Sequence, residues 1–170
     1  TLDLSSNSIE VHSKKSEPWK VTLVDTGENT QTGGRLARVK NFIKGTFCFT
    51  YGDGLADINL KNLITYHKKS KKKATISAVK PPGRFGALEL EGDKVIHFRE
   101  KPKGDGFWIN GGFFVLEPSI FDLISDDFCI WEQEPLKKLS NDGELNAYKH
   151  SGFWQPMDTL RDKNNLERLW

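Results

Sequence analysis

Between Thr46 and Val79 the hydrophobic period changes twice, and this alternation constrains the fold more than any other feature of the chain. The run "TFCFT" is rich in aromatic and β-branched residues, as a strand is, and stops at Tyr51-Gly52-Asp53-Gly54. The stretch "ADINLKNLITYHKKSKKK" then carries Ile58, Leu60, Leu63 and Ile64 at helical spacing and closes in a lysine cluster suited to a helix C-terminus, and "ATISAV" is a second apolar strand. Upstream, "SIEVH" alternates like a strand, and "WKVTLVDTG" reads as another that stops at Gly27. "RLARVKNFI" places Leu36, Val39 and Ile43 on one helical face, with Gly33 and Gly34 at its entrance. Strand, helix, strand, helix, strand is the order of a mostly parallel sheet covered by helices.

The second half changes character. "FGALEL", "KVIHFREK" and "FWINGGFFVLE" read as strands with short connections, which predicts an antiparallel insert on the α/β sheet. "SIFDLI" and "CIWEQEPLKKLSND" look helical, with Pro135 opening a helix or kinking one; "ELNAYKH" is a strand and "TLRDKNNLERLW" a terminal helix.

With 170 residues, one domain spanning 1–170 is expected. The formal charge of +2 comes from 25 basic and 23 acidic side chains, so no single-sign field suits the chain to nucleic acid or to a membrane surface; a small anionic ligand stays open. Cys48 and Cys129 lie in apolar surroundings without metal-ligand spacing, which predicts reduced core thiols. No apolar run approaches the ~20 residues of a spanning helix and no signal-peptide pattern opens the chain, which predicts a cytoplasmic protein. Five tryptophans and eleven phenylalanines in a hydrophilic chain suggest an associating apolar surface, hence a homo-oligomer.

Five breaks rich in glycine and polar residues each read as the end of an apolar strand, where open α/β sheets bind ligands. Asp53 between Gly52 and Gly54 is either a turn residue that caps the next helix or a carboxylate that holds Mg²⁺ while phosphates supply the remaining ligands. Asp158 in "GFWQPMDTLRD" is either a helix N-cap or a second carboxylate facing Asp53 across one cation. Asn110-Gly111-Gly112 marks a bulge or the close approach of a ligand, and "TQTGGRL" with Arg35 is a plain turn or an anion cradle. Glu100 and Lys101 in "FREKPKGDG" are a solvated charge run or a phosphate contact, and Arg84 is ligand-facing or surface. Two carboxylates, several cations and an amide fit phosphate and metal better than acyl transfer, since no Ser/His or Cys/His arrangement is present.

The blocks "VTLVDTGENTQTGGRLARV", "TYGDGLADIN", "PPGRFGALEL", "EKPKGDGFWINGGFFVLEPS", "WEQEPL" and "GFWQPMDTLRDK", in this order, closely resemble the sugar-phosphate nucleotidylyltransferases, most specifically those that use CTP and glucose 1-phosphate. The resemblance implies a Rossmann-like nucleotide-diphospho-sugar transferase fold and Mg²⁺-assisted synthesis of CDP-glucose and pyrophosphate. It assigns the metal to Asp53 and Asp158, and the sugar and its phosphate to Glu100, Lys101 and Asn110, with Lys101 catalytic. It assigns nucleotide contacts to Thr30, Gly34, Arg35 and Gly52.

Members of this family open with a strand and a glycine-rich Leu-Ala-Gly-Gly-x-Gly-Thr-Arg loop, followed by Lys-Pro-Lys-Pro; neither occurs here. The expectation is therefore a C-terminal two-thirds that lacks the first strand and the triphosphate loop and is inactive by itself. A second reading is a catalytically silent sugar-phosphate-binding or assembly domain on the same fold. A metal-dependent glycosyltransferase is disfavoured, because Asp53 and Asp57 are four apart rather than two.

Overall fold

A computed structural model of the chain describes residues 1–10, 19–81, 87–99 and 107–169. Strands β1 (Leu2–Asp3) and β2 (Ser8–Ile9) pair as a small antiparallel hairpin. Helix α1 (Thr32–Arg38) runs into a 3₁₀ turn at Lys40–Phe42, followed by β3 (Phe47–Thr50) and β4 (Gly54–Ala56). Helix α2 (Leu60–Ser70) starts at Asn59, whose side chain accepts the Asn62 amide at 3.0 Å, and it stops where Lys71 turns left-handed. Next come β5 (Ala74–Val79), β6 (Ala87–Glu91), β7 (Lys94–Arg99), β8 (Ile109–Leu116) and a 3₁₀ segment at Pro118–Leu123. Helix α3 (Glu134–Asn141), β9 (Leu145–His150), β10 (Trp154–Pro156) and α4 (Leu160–Leu169) complete the described chain.

The main sheet has the order β3-β8-β5-β9. β3, β5 and β9 share a direction, but β8 runs against them between β3 and β5, so the sheet's parallel pairing is β5 with β9, in register Ala74↔Leu145 to Val79↔His150. The sheet is mixed, as the Rossmann-like expectation requires. The antiparallel insert is realised in two places, as β8 within the sheet and as the separate β6–β7 hairpin.

Each face of this sheet is covered by helix, because its central strands alternate apolar side chains on both sides. Leu36, Ala74, Phe114, Leu116, Ile120, Trp131 and Leu139 form the larger core, with Phe49, Phe114 and Trp131 in edge or tilted ring contacts. Ile58, Leu63 and Val115 form the core under α2. On that second face two buried hydroxyls are satisfied locally: Thr75 Oγ1 meets His67 Nδ1 at 2.8 Å, and Ser77 Oγ accepts the Phe113 amide at 3.2 Å.

Several expectations need correction. Residues 19–27 form no strand: Trp19, Val21 and Leu23 are exposed, and among the described residues no strand lies beside them to pair with. Of "SIEVH" only Ser8–Ile9 is strand, and positions 11 and 12 lie outside the described residues. The helix expected from Cys129 begins only at Glu134, with Pro135 in its first turn where no amide is needed. Both thiols are free, but neither is core: Cys48 is exposed, because β3 is an edge strand, and Cys129 is half-buried.

Candidate functional site

β3 and β4 are separated by the Gly52-Asp53 turn, and β10 pairs antiparallel with β4 in register Trp154↔Ala56 to Pro156↔Gly54. Continuing that pairing, the Met157 amide donates to the Asp53 carbonyl at 2.8 Å. The chain end carrying Asp158 is thereby laid along the turn carrying Asp53, although more than half the chain separates them.

The helix-cap alternative for Asp53 is not realised. α2 is capped by Asn59, not Asp53. At α4 the cap belongs to Thr159: its hydroxyl accepts the Asp162 amide at 3.2 Å, while Asp162 Oδ2 accepts the Thr159 amide at 3.1 Å and hydroxyl at 2.7 Å. Both Asp53 and Asp158 are exposed.

Glycine placement separates fold from site. A Cβ at Gly33 would meet the Cys129 carbonyl oxygen at 2.7 Å and one at Gly34 the Asp127 oxygen at 2.5 Å, so these glycines exist to let α1 press on that loop. Gly111 and Gly112 likewise sit against Ser77 and Tyr51, where β8 bulges between its pairings with Ile76 and Ala78. Gly52 and Gly54 differ: a Cβ on either would meet nothing within 4 Å among the described residues, and neither has a positive φ. Packing gives no reason for glycine on either side of Asp53.

A cleft of about 60 Å³ lies here, lined among others by Tyr51, Asp53, Gly54, Asn110, Gly112 and Trp154. It joins Asp53 and Asn110. The bulge frees the Gly111 carbonyl, which accepts the Trp154 indole N–H at 2.8 Å and ties β10 to the same wall. At this end of the sheet Lys80 and Lys149 stand over the Trp108 ring, 5.3 and 5.6 Å from its centre.

Behind the cleft lies a polar chain that sequence reasoning missed. Tyr51 Oη donates to Glu132 Oε1, and Thr32 Oγ1 donates to Glu132 Oε2 at 2.8 Å while accepting the Trp131 amide at 2.9 Å. Burial, then the hydrogen bond to the Glu132 carboxylate, pushes the Tyr51 phenol well above its ordinary range. The signal was on the page: Tyr51 opens the Gly-Asp-Gly turn and Glu132 lies in "WEQEPL".

The expected nucleotide contacts at α1 are engaged within the fold. The amides of Gln31, Gly33 and Gly34 donate to the carbonyls of Asp127 and Cys129, Thr30 is buried, and Arg35 donates to Thr26 Oγ1 at 2.7 Å and the Glu28 carbonyl at 3.0 Å. The anion cradle expected from the amides of "TQTGGRL" is thus filled by the chain's own carbonyls. Arg84, Glu100 and Lys101 lie outside the described residues. Among the described residues no group of three or more His, Cys, Asp or Glu side chains is arranged to hold a metal, and no helix is long and apolar enough to cross a membrane.

The family model for nucleotidyl transferases matches residues 4–154. The chain belongs to the nucleotidyl transferase family. Within that family it is 59% identical over 172 aligned residues to glucose-1-phosphate cytidylyltransferase of Salmonella typhi, a match that spans all of this chain and 67% of that protein. It is 42% identical, with the same coverage, to a probable glucose-1-phosphate cytidylyltransferase of Bacillus subtilis. The fold is shared with a putative glucose-1-phosphate thymidylyltransferase from Bacillus anthracis solved in complex with a sucrose (TM-score 0.62, 16% identity, 84% of this chain and 62% of that one). It is shared equally with HddC from Yersinia pseudotuberculosis (TM-score 0.62, 23% identity, 84% and 64%). The nucleotidyl transferase chain thus spans a little under two-thirds of these solved structures.

Proposed function

We propose that this nucleotidyl transferase chain forms the sugar-phosphate and metal side of an enzyme that makes CDP-glucose and pyrophosphate from CTP and α-D-glucose 1-phosphate. The observation that carries the reading is the Asp53 turn, a carboxylate between two glycines that neither packing nor backbone conformation requires, with the Asp158 segment hydrogen-bonded alongside. Open space on both sides of a carboxylate suits a ligand that presses against the backbone. The identity to cytidylyltransferases supports the choice of CTP and glucose 1-phosphate.

In the reaction an oxygen of the sugar phosphate attacks the α-phosphorus of CTP; the new P–O bond forms as the bond to the β-phosphate breaks, and pyrophosphate leaves with the electron pair. The protein's part is position and charge. Two hard carboxylate oxygen donors suit Mg²⁺, which keeps its other positions for water and phosphate, so Asp53 and Asp158 would hold it. When bound, the ion neutralises charge developing on the phosphates. Gly52 lets the nucleotide lie against the turn, Asn110 offers its amide to the sugar, and Glu100 and Lys101 take the sugar and its phosphate. Thr30, Gly34 and Arg35 contribute to the nucleotide side by holding the α1 turn.

The deciding experiment is product analysis of the full-length protein with CTP, glucose 1-phosphate and Mg²⁺. CDP-glucose with stoichiometric pyrophosphate is expected. Faster turnover with another nucleoside triphosphate or sugar phosphate refutes the substrate assignment, and absence of any nucleotidyl transfer refutes the reading as a whole.

A further inference from the structure

The β4–β10 ribbon that carries Asp53 and Asp158 is a two-stranded sheet separate from the main one. A ribbon of two short strands does not hold its own place, so its position has to come from ties to the larger sheet. One tie is the Trp154 indole on the Gly111 carbonyl. A second lies at the ribbon's opposite end from the aspartates. There the ladder continues past Ala56, the Asp57 amide donating to the Phe153 carbonyl at 3.2 Å. His150, the last residue of β9 and paired with Val79 of the main sheet, reaches across the same end. Its Nε2 stands 2.9 Å from Asp57 Oδ1 and 3.1 Å from the Phe153 carbonyl oxygen.

A carbonyl and an ionised carboxylate only accept hydrogen bonds, so Nε2 carries a hydrogen whether the ring is neutral or charged. One imidazole N–H is thus shared between the two strands of the ribbon, the Asp57 side chain on β4's side and the Phe153 backbone on β10's. Gly152 makes room for this arrangement: a Cβ there would stand 2.4 Å from Asp57 Oδ1 and 2.7 Å from His150 Cε1. The Asp57 side chain is 63% exposed, so the pair contributes little to stability as an ion pair. Its effect is geometric. The pairing runs unbroken from Asp53 to Asp57, so these residues are extended and their α-carbons are about 13 Å apart at ~3.3 Å per residue, which sets Asp57 at the far end of the ribbon from the metal position.

We propose that His150 and Asp57 are positioning residues, a clasp that fixes the ribbon to the end of β9 and thereby holds Asp53 and Asp158 at the separation one divalent cation needs. The inference rests on the reading of those two aspartates as the metal ligands. It gives Asp57, a carboxylate in the same "GDGLAD" stretch, a part distinct from theirs.

The test is direct binding of Mn²⁺, an oxygen-seeking stand-in for Mg²⁺, to the full-length protein with CTP present and no sugar phosphate, the free ion being measured by electron paramagnetic resonance. Asp57→Ala and His150→Phe should each raise the Mn²⁺ Kd about three- to tenfold, the worth of one lost hydrogen bond. The double variant should be no weaker than the weaker single, because both act through one contact. Asp57→Asn keeps an acceptor and His150→Gln a donor, so each should stay within about twofold of wild type. The urea midpoint of Asp57→Ala should stay near that of wild type, which separates positioning from a general loss of structure; Asp57 is exposed, so this variant decides the matter even if His150→Phe does not fold. Wild-type Mn²⁺ affinity in Asp57→Ala, or additive losses in the double variant, overturns the clasp. A loss in Asp57→Asn as large as in Asp53→Asn makes Asp57 a ligand and likewise overturns it. Unchanged Mn²⁺ affinity in Asp53→Asn overturns instead the metal reading on which the clasp rests.

Discussion

Met157 donates its amide to the Asp53 carbonyl at 2.8 Å, which seats the Asp158 segment against a turn whose two glycines, Gly52 and Gly54, face open space. The bond extends the β4–β10 ladder by one residue, so the relation between the two aspartates is set by backbone pairing and not by flexible side chains.

The first prediction follows from that pairing. Asp53→Asn and Asp158→Asn in the full-length enzyme should each lower kcat by about 10²-fold or more, the usual worth of a charge-stabilising element. Each should also raise the Mg²⁺ concentration needed for half-maximal rate. The two effects should be strongly non-additive if both carboxylates serve one ion. Initial rates across a Mg²⁺ titration check this, and an unchanged metal requirement in either variant would count against a shared site.

Glycines on the two sides of Tyr51 should respond in opposite ways to the same substitution. Gly34→Ala forces a Cβ to 2.5 Å from the Asp127 oxygen, a backbone atom that cannot swing away. It should destabilise the protein by about 1–3 kcal/mol, as overpacking does. Gly52→Ala places its Cβ in open space and should leave stability within about 0.5 kcal/mol while impairing turnover. Urea unfolding paired with activity measurements separates the two; a fully active Gly52→Ala enzyme would remove the argument that a ligand explains that glycine.

Tyr51 makes a prediction about alkaline pH. Its phenol is pushed up by burial and by the Glu132 carboxylate, so the fold favours the neutral form. A tyrosine in an unfolded chain titrates near pH ~10. The stabilisation from Tyr51 is therefore fully present below about pH 10 and is lost as the pH rises from there toward the higher folded value. Denaturant midpoints between about pH 8 and 11 should fall more steeply for wild type than for Tyr51→Phe, the comparison cancelling the lysines that titrate in the same range. Parallel curves would mean that the phenol is not held neutral by the fold.

The strand Ala74–Val79 and the helix behind it could be read from sequence because a single period ran through each and a cap or turn ended it. The placement of β8 between β3 and β5 could not, since strand order along the chain says nothing about an antiparallel strand returning from the second half. "WKVTLVDTG" alternates correctly, yet a strand needs a neighbour, and periodicity does not reveal whether one is there. At the site, Asp53 and Asp158 were visible as carboxylates in unusual company. The Tyr51–Glu132–Thr32 chain was not, because hydroxyls and a lone glutamate carry no spacing signal until the fold brings them together. The "TGGRL" turn misled in the other direction: its glycines look like an anion cradle, and close packing on Cys129 is an equally good use of a missing Cβ.

The last prediction concerns the β6–β7 hairpin, which forms a two-stranded sheet of its own. Leu88 pairs with Phe98 and Leu90 with Val95, whereas Glu89 pairs with His97 and Glu91 with Lys94. One face of the ribbon is therefore apolar and the other charged. Leu88 and Phe98 are 58% and 60% exposed. A two-stranded ribbon is marginal unless its apolar face is covered, and a contiguous exposed patch of this kind marks an interaction surface. A second copy of the same chain is the partner expected, in keeping with a homo-oligomer, and an isologous contact would place one hairpin against its symmetry mate. Leu88→Glu combined with Phe98→Glu should convert the full-length protein to a smaller species in sedimentation velocity at micromolar concentration, with its unfolding midpoint little changed once dilution effects are matched. A charge pair introduced on the opposite strand face, at Glu89 and His97, should leave the sedimentation coefficient alone. If the apolar-face variant sediments as wild type does, the hairpin is not the associating surface and the exposed leucine and phenylalanine need another cover.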